Sequence, residues 1–416
     1  MADQEIPTLK DLQKARSALR GIIHETPLLA ADGLSALTGY RVFLKAENLQ
    51  RTGSFKLRGA YTKITSLSAD ERARGVIAAS AGNHGQGVAL AAKLRGVRAT
   101  IVLPEAAPVT KVQAIQTMGA RTVLDGANYE AAYQHAVDLG RRERLTFIHP
   151  FDDWQIIAGQ GTIALEALGQ LEETGAFLVP VGGGGLIAGT ALAAKAVKSD
   201  LRVVGVQASG ASAVVASFQA GRREARPAET VADGIRVGEP GEKTFRVIRQ
   251  AVDAMVAVEE EEIYRAVVYL LEKCKLVVEP AGAVGVAALL SRRVDFPPGT
   301  PVVVIVSGGN IDPNLLNHFI EYGLVHSGRS LLLRARLPDR PGQLMRLIAP
   351  LGERRVNILN IEHHRASWGL PVDVSEVLLH LETRGPEHCA EVLAALRALD
   401  LDVEPLLPMP KTEDVV

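Results

Sequence analysis

Four consecutive glycines, Gly182 to Gly185, separate an apolar run from an alanine-rich one in "FLVPVGGGGLIAGTALAAKA". Glycine allows close backbone approach to a ligand, and the free N–H groups at a helix start attract an anion. Four in a row exceed what a tight strand–helix turn needs, so a phosphate is the favoured guest. Gly183, Gly185 and Ala188 fit G-x-G-x-x-A, a weak match to the dinucleotide fingerprint. The acid that should follow about 20 residues on is replaced by Gln207, and no Walker lysine follows the glycines. A smaller phosphorylated cofactor remains. Small and polar residues in "SAGNHGQGVALAA", Ser80 to Ala92, offer further N–H groups and hydroxyls to an anion such as a carboxylate, although a self-satisfied loop would use the same residues. "VVVIVSGGN" sets Ser307 and Asn310 just beyond an apolar strand, where open α/β sheets bind ligands. Lys56, in "ENLQRTGSFKLRGA", reads on its own as a solvated charge; its meaning depends on whether the chain folds it into the same cleft.

The elements that must position these residues have two textures. As far as about Gly323, short apolar runs alternate with alanine-rich helical stretches; the runs are "GVIAAS", "RATIVLP", "RTVLDG", "LTFIHP", "AFLVPV", "RVVGVQA" and "TPVVVIVSGG". Runs apolar throughout predict strands buried on both faces, and the alternation predicts α/β units on a mostly parallel sheet. So many units imply two subdomains with a cleft between them. After "EYGLVHSGRS" the pattern becomes strand, helix, strand, strand, helix, strand, a ferredoxin-like βαββαβ order in which "PGQLMRLIAPLGERR" is a helix opened by proline. The expected domains are residues 1–325, with a small subdomain at about 50–155 inserted in a larger one, then 330–405, then a tail over 406–416.

Composition narrows the function. The 416 residues carry 46 Lys and Arg against 47 Asp and Glu, a net charge of −1, which gives no reason to expect nucleic acid or an anionic membrane as partner. No apolar stretch approaches the roughly 18 residues of a spanning helix, and "MADQEIPTLK" lacks the apolar core of a secretory signal. Cys274 and Cys389 are too far apart in sequence to suggest a redox or chelating pair. A soluble, cytoplasmic protein is expected. Two tempting signals read as structural: His363 and His364 are neighbours on a predicted strand and point to opposite faces, and Glu259 to Glu262 complement the dipole of a helix start. No metal site is predicted.

Taken in order, "TGSFKLRGA", "SAGNHGQG", "VGGGGLIAG", "EPAGA" and "VSGGN" resemble the pyridoxal-phosphate enzymes of fold type II, the tryptophan synthase β-like fold, and among them the threonine dehydratase (threonine ammonia-lyase) family. The resemblance covers nearly the whole of residues 1 to 325. It implies that Lys56 holds pyridoxal 5'-phosphate as a Schiff base and that Phe55 packs near its ring. Gly182, Gly183, Gly184, Gly185 and the Leu186 N–H would cradle the phosphate, Asn83 would bond the ring hydroxyl and Ser307 would face the pyridine nitrogen. Ser80, Gly82, Asn83 and His84 would receive the substrate carboxylate. The implied reaction is elimination of water and ammonia from L-threonine, and from L-serine, with Lys56 as base.

Serine racemases are similar but carry a second serine where this chain has Ala81, and an asparagine where it has Phe151 in "HPFDD". Relatives that bind a divalent ion carry acids where this chain has Gln207 and Ala213. The alternatives are a related eliminase such as a serine dehydratase, a β-replacing enzyme such as a cysteine synthase, or a non-catalytic amino-acid sensor. "LPDRPGQL" resembles the strand-to-helix turn of an ACT domain, with Asp339, Gly342 and Asn357 at positions that line its ligand site. That implies an amino-acid effector, isoleucine first among the candidates, and a homo-oligomer, dimer or tetramer; a domain that only joins subunits is the competing reading.

Overall fold

In the computed structural model, residues 5–80, 82–365 and 371–407 are described, and the chain divides into two compact units, Met1–Ile311 and Asp312–Val416. The first is built on two sheets. The larger has six strands in the order Leu28–Ala30, Arg41–Ala46, Pro301–Val306, Ala176–Pro180, Arg202–Ala208, Ala254–Val258, parallel apart from the first pair. The smaller is wholly parallel, in the order Arg121–Leu124, Ala99–Leu103, Val76–Ala79, Thr146–Phe147. All seven apolar runs are strands. One expectation fails at both edges of the smaller sheet: Arg121–Leu124 and Thr146–Phe147 are not buried on both faces, and Leu124 is 50% exposed. Leu28–Ala30, Arg41–Ala46 and Ala254–Val258 are strands that the apolar runs do not reveal.

Glycines let the helices that carry the site pack closely. A Cβ on Gly161, in helix Trp154–Gln170, would stand 2.7 Å from the carbonyl oxygen of Gly189 in helix Gly185–Val197. Gly87, in helix Asn83–Arg95, faces the start of helix Lys56–Ser66, and a Cβ there would stand 3.0 Å from the carbonyl carbon of Lys56. The lysine therefore begins a helix pressed against the one that starts at Asn83.

In the second unit, helix Pro313–His326 precedes strand Ser330–Pro338, helix Gln343–Glu353, strands Asn357–His364 and Val374–Glu382, helix Pro386–Arg397 and strand Asp402–Pro405. The sheet is antiparallel in the order Asn357–His364, Val374–Glu382, Ser330–Pro338, Asp402–Pro405, the ferredoxin-like arrangement. Alternate residues Leu331, Leu333, Ala335 and Leu337 turn inward with Leu347, Leu351, Val392 and Leu396 from the helices. Helix Gln343–Glu353 opens one residue after Gly342 rather than at Pro341: Gly342 has φ +86°, a left-handed cap that proline cannot supply. The outermost residues of the expected tail, 408–416, lie outside the described residues.

Candidate active site

Backbone hydrogen bonds tie the Lys56 segment to the end of strand Pro301–Val306. Phe55 N–H donates to the Ser307 carbonyl (3.1 Å) and Gly309 N–H to the Gly53 carbonyl (2.9 Å). Asn310 Nδ2 donates both to the Thr52 carbonyl and to Asn83 Oδ1, each at 2.7 Å. Asn83 Nδ2 in turn donates to Glu279 Oε1 (2.7 Å), and Glu279 N–H to the Gly308 carbonyl (3.1 Å). Lys56, Asn83 and Ser307, far apart in sequence, therefore converge at the carboxyl ends of strands.

Lys56 Nζ donates to the Pro150 carbonyl (3.1 Å) and lies 5.2 Å from the centre of the Phe55 ring. No carboxylate forms an ion pair with it among the described residues. Burial brings its pKa down to about 8, and the Glu279 carboxylate opposes the fall. An amine so placed is unprotonated often enough at neutral pH to act as nucleophile and base.

The "SAGNHG" loop is partly a self-satisfied network. Ser80 Oγ accepts from Gly82 N–H (3.1 Å), and the buried His84 ring donates from Nε2 to the Ile148 carbonyl (2.9 Å). A carbonyl only accepts, so that bond fixes the proton on Nε2, and burial drops the ring's pKa to about 3. His84 is thus neutral, its Nε2 committed to the scaffold. Ala81 lies outside the described residues.

The protein itself leaves little room for a side chain at any glycine of the phosphate-loop candidate. A Cβ on Gly182 would stand 3.1 Å from Ile235 Cα; one on Gly183 would run into the Phe151 ring, and one on Gly185 would stand 2.9 Å from Phe151 Cβ. Gly184 has φ +97° and faces Ile248 and Thr244. Thr244 Oγ1 holds the Gly183 carbonyl (2.7 Å), and Asp152 accepts from the N–H groups of Lys243 (2.8 Å) and Thr244 (3.0 Å). Phe151 adjoins Pro150, the partner of Lys56, so the glycine loop belongs to the same site.

This loop fits a phosphate. Helix Gly185–Val197 starts buried at Gly184 with no side-chain cap, and a buried helix start needs a partner for its first N–H groups, Leu186 among them. An anion above the glycines supplies that partner, and the amine of Lys56 suits an aldehyde on the same molecule. Together they fit pyridoxal phosphate.

Sequence reasoning missed two parts of this arrangement. Glu279, quoted only as part of a motif, is buried, and burial lifts its carboxyl to about 7, with the field of Asp233 adding to the rise. His149 accepts at Nδ1 from Asp152 N–H (2.7 Å), stacks edge-on to Phe151, and is brought down by burial to about 4. An acid before proline and a histidine before proline were the available signals.

Of the residues proposed for regulation, Asp339 is held by Arg365 through two bonds, at 3.0 and 3.1 Å. Asn357 bonds Glu382 at the end of the sheet that holds Ser330, whereas Asp339 and Gly342 follow Pro338 at the other end. Eight strand steps, about 27 Å, separate those ends. One copy of the chain therefore does not bring the three together. Gln207 is buried, donates to the Val181 carbonyl (3.1 Å) and accepts from Val215 N–H (2.9 Å). No group of three or more His, Cys, Asp or Glu able to hold a metal occurs among the described residues, and no described helix is long and apolar enough to cross a membrane.

Several known proteins are similar to this chain over most of its length. The L-threonine ammonia-lyase of Thermotoga maritima is 44% identical over 397 residues, 95% of this chain and 98% of that protein. The processed form of threonine deaminase isoform 2 from Solanum lycopersicum superposes with a TM-score of 0.71 at 37% identity, over 75% of this chain and 92% of that one. Maize serine racemase gives 0.73 at 35% identity, over 77% and 99%. Residues 19–308 match the family described as pyridoxal-phosphate dependent enzymes, and the chain belongs to that family.

Proposed function

We propose that this protein is a cytoplasmic threonine ammonia-lyase, converting L-threonine to 2-oxobutanoate and ammonia and L-serine to pyruvate. The observation that carries the reading is the Lys56 amine, without a carboxylate partner and lowered to about 8, in a cleft shared with an uncapped glycine-rich helix start. Relatives named for this reaction support threonine as the substrate. Bound pyridoxal phosphate supplies the electron sink for the bond broken at Cα. The N–H groups of Asn83 and His84, at the start of helix Asn83–Arg95, orient the substrate carboxylate. Lys56 Nζ, freed when the substrate amine displaces it from the cofactor, would take the Cα proton; the β-hydroxyl would pick up one proton in exchange and leave as water, and the released enamine would tautomerise and react with water to give the oxo acid and ammonia. Ser307, the residue that would face the ring nitrogen, carries no charge, so it would supply no counter-charge there and would favour prompt loss of the β-substituent.

The second unit supports regulation and self-association. It is a separate ferredoxin-like body, and its edge strand Asn357–His364 leaves Leu359 and Ile361 half exposed, a surface suited to pairing with a second copy. Such pairing could unite Asn357 of one copy with Asp339 and Gly342 of another around an amino-acid effector.

An oxo-acid assay of Lys56→Ala tests the enzyme. The variant is expected to stay folded and to lose a thousandfold or more, on the order of what base and covalent catalysis together supply. Near wild-type turnover without an added amine would refute the reading. Accumulation of D-serine from L-serine by the wild type would favour the racemase relationship instead.

A further inference from the structure

Two residues beyond Lys56, on the same helix, lies a fully buried guanidinium. Arg58 Nε donates to Glu47 Oε2 (2.8 Å), and Nη2 to Glu47 Oε1 (2.7 Å) and Glu166 Oε2 (2.8 Å). Nη1 donates to Glu166 Oε1 (2.6 Å) and to Thr162 Oγ1 (3.2 Å). An arginine has five N–H donors, and all five are used. Lys45 completes the cluster, donating to Glu166 Oε2 (3.0 Å), the Thr26 carbonyl (2.7 Å) and Gln170 Oε1 (3.1 Å). Two cations and two carboxylates thus balance where solvent barely reaches, with side-chain exposures of 0% for Lys45, Glu47 and Arg58 and 5% for Glu166.

Stability alone is a poor reason for such a cluster, since a well-packed apolar replacement of a buried ion network is often as stable or more so. What the cluster does supply is orientation. It joins the strand that ends at Ala46, the turn Glu47–Leu49 and helix Trp154–Gln170 to one point in the first turn of helix Lys56–Ser66. Backbone contacts tighten the same point: Gly59 N–H donates to Gln160 Oε1 (3.2 Å), and a Cβ on Gly159 would stand 2.7 Å from the Arg58 carbonyl oxygen. Loss of the fork would free the first turn to roll, and the lysine on it would swing.

We infer that Arg58, clamped by Glu47, Glu166 and Thr162, is a positioning residue that sets the path of the Lys56 side chain into the cleft. This rests on Lys56 being the cofactor-bearing lysine. It acts through geometry, so its loss should alter how fast and at what pH Lys56 reacts rather than how tightly substrate binds.

The test is Arg58→Lys, which keeps the charge and removes the fork, beside wild type. Three quantities are read: kcat and KM for L-threonine, the pH midpoint of the visible absorbance from the lysine–cofactor link, and the rate at which that absorbance appears when pyridoxal phosphate is added to apoprotein. Expected are wild-type far-ultraviolet circular dichroism, kcat lower by about tenfold to a hundredfold, the scale of small misplacements of a reacting group, KM little changed, a shifted midpoint and slower reconstitution. Thr162→Val, which removes one acceptor from Nη1, should shift the same quantities in the same direction by less, and it decides the matter if Arg58→Lys does not fold. Wild-type kcat, midpoint and reconstitution rate in a folded variant would overturn the proposal. So would a fall in activity that merely tracks lost cofactor at an unchanged midpoint, since a scaffold defect does that. If wild type itself shows no such absorbance, the assignment of Lys56 fails instead.

Discussion

Replacing Glu279 by glutamine should stabilise this protein at alkaline pH and leave it nearly unchanged in acid. The carboxyl is buried, receives one hydrogen bond from Asn83 Nδ2 (2.7 Å), and is lifted from the ordinary 4.5 to about 7. That gap corresponds to roughly 3 kcal/mol against the charged form, at about 1.4 kcal/mol for each pH unit. The sign follows from proton binding. Between pH 4.5 and 7 the folded protein keeps this proton while the unfolded chain releases it, so the wild type loses stability as pH rises through that window. Glutamine does not titrate, and its Oε1 still accepts from Asn83. The advantage of Glu279→Gln should therefore be under about 1 kcal/mol at pH 5 and reach about 3 kcal/mol at pH 8. His84 and His149, held neutral to about 3 and about 4, destabilise the fold as pH falls below 6.5, but equally in both proteins, so they cancel in the difference. Urea unfolding of both proteins, stripped of cofactor so that Lys56 is a free amine, at the two pH values measures it. An equal gap at pH 5 and pH 8, or a variant weaker at pH 8, would show that Glu279 is an ordinary carboxylate and refute the reasoning.

Other perturbations bear on the remaining parts of the site. Gly184→Ala forces a left-handed residue (φ +97°) to carry a Cβ 2.8 Å from Ile248 Cδ1; it should cost on the order of 1–3 kcal/mol and speed cofactor loss on dialysis, and undiminished retention would contradict the cradle. Because the amide of Gln207 already satisfies the Val181 carbonyl and Val215 N–H, chelation with EDTA should change activity by less than about twofold, and a large loss restored by magnesium would contradict this. A chain ending at Ile311, where the first compact unit ends, should eliminate ammonia from threonine without responding to amino acids; a folded, cofactor-loaded but inactive product would make the second unit part of the catalytic machinery.

The apolar runs disclosed seven strands because parallel strands buried on both faces need apolar residues at nearly every position. They could not show which strand lies at an edge, so Arg121–Leu124 looked like its neighbours until its place in the sheet was known. The βαββαβ unit was legible from the change of period, but the separation of Asn357 from Asp339 depends on strand register, which no single segment carries. Lys56, Asn83 and Ser307 were legible from motifs in order. Glu279 was not: an acid before proline reads as a helix cap, which it also is, and its partner Asn83 lies 196 residues away. Arg58 was hidden for the same reason, since its carboxylates are 11 and 108 residues distant.

The environment that lowers Lys56 is also the one that raises Glu279. Removal of water disfavours each group's charged form, taking the amine down to about 8 and the carboxyl up to about 7. The two values have moved from opposite ends of the scale to within about one unit, so near neutral pH each group can exist uncharged. Each also restrains the other, since the Glu279 charge holds the amine up and the Lys56 charge holds the carboxyl down. A direct ion pair would have kept both charged and left the lysine inert as a nucleophile. The structure avoids that by giving Lys56 Nζ the Pro150 carbonyl and Glu279 the Asn83 amide, neutral partners that orient each group without stabilising its charge as a counter-ion would. The amine reacts because its acid is near enough to be felt and turned to another partner.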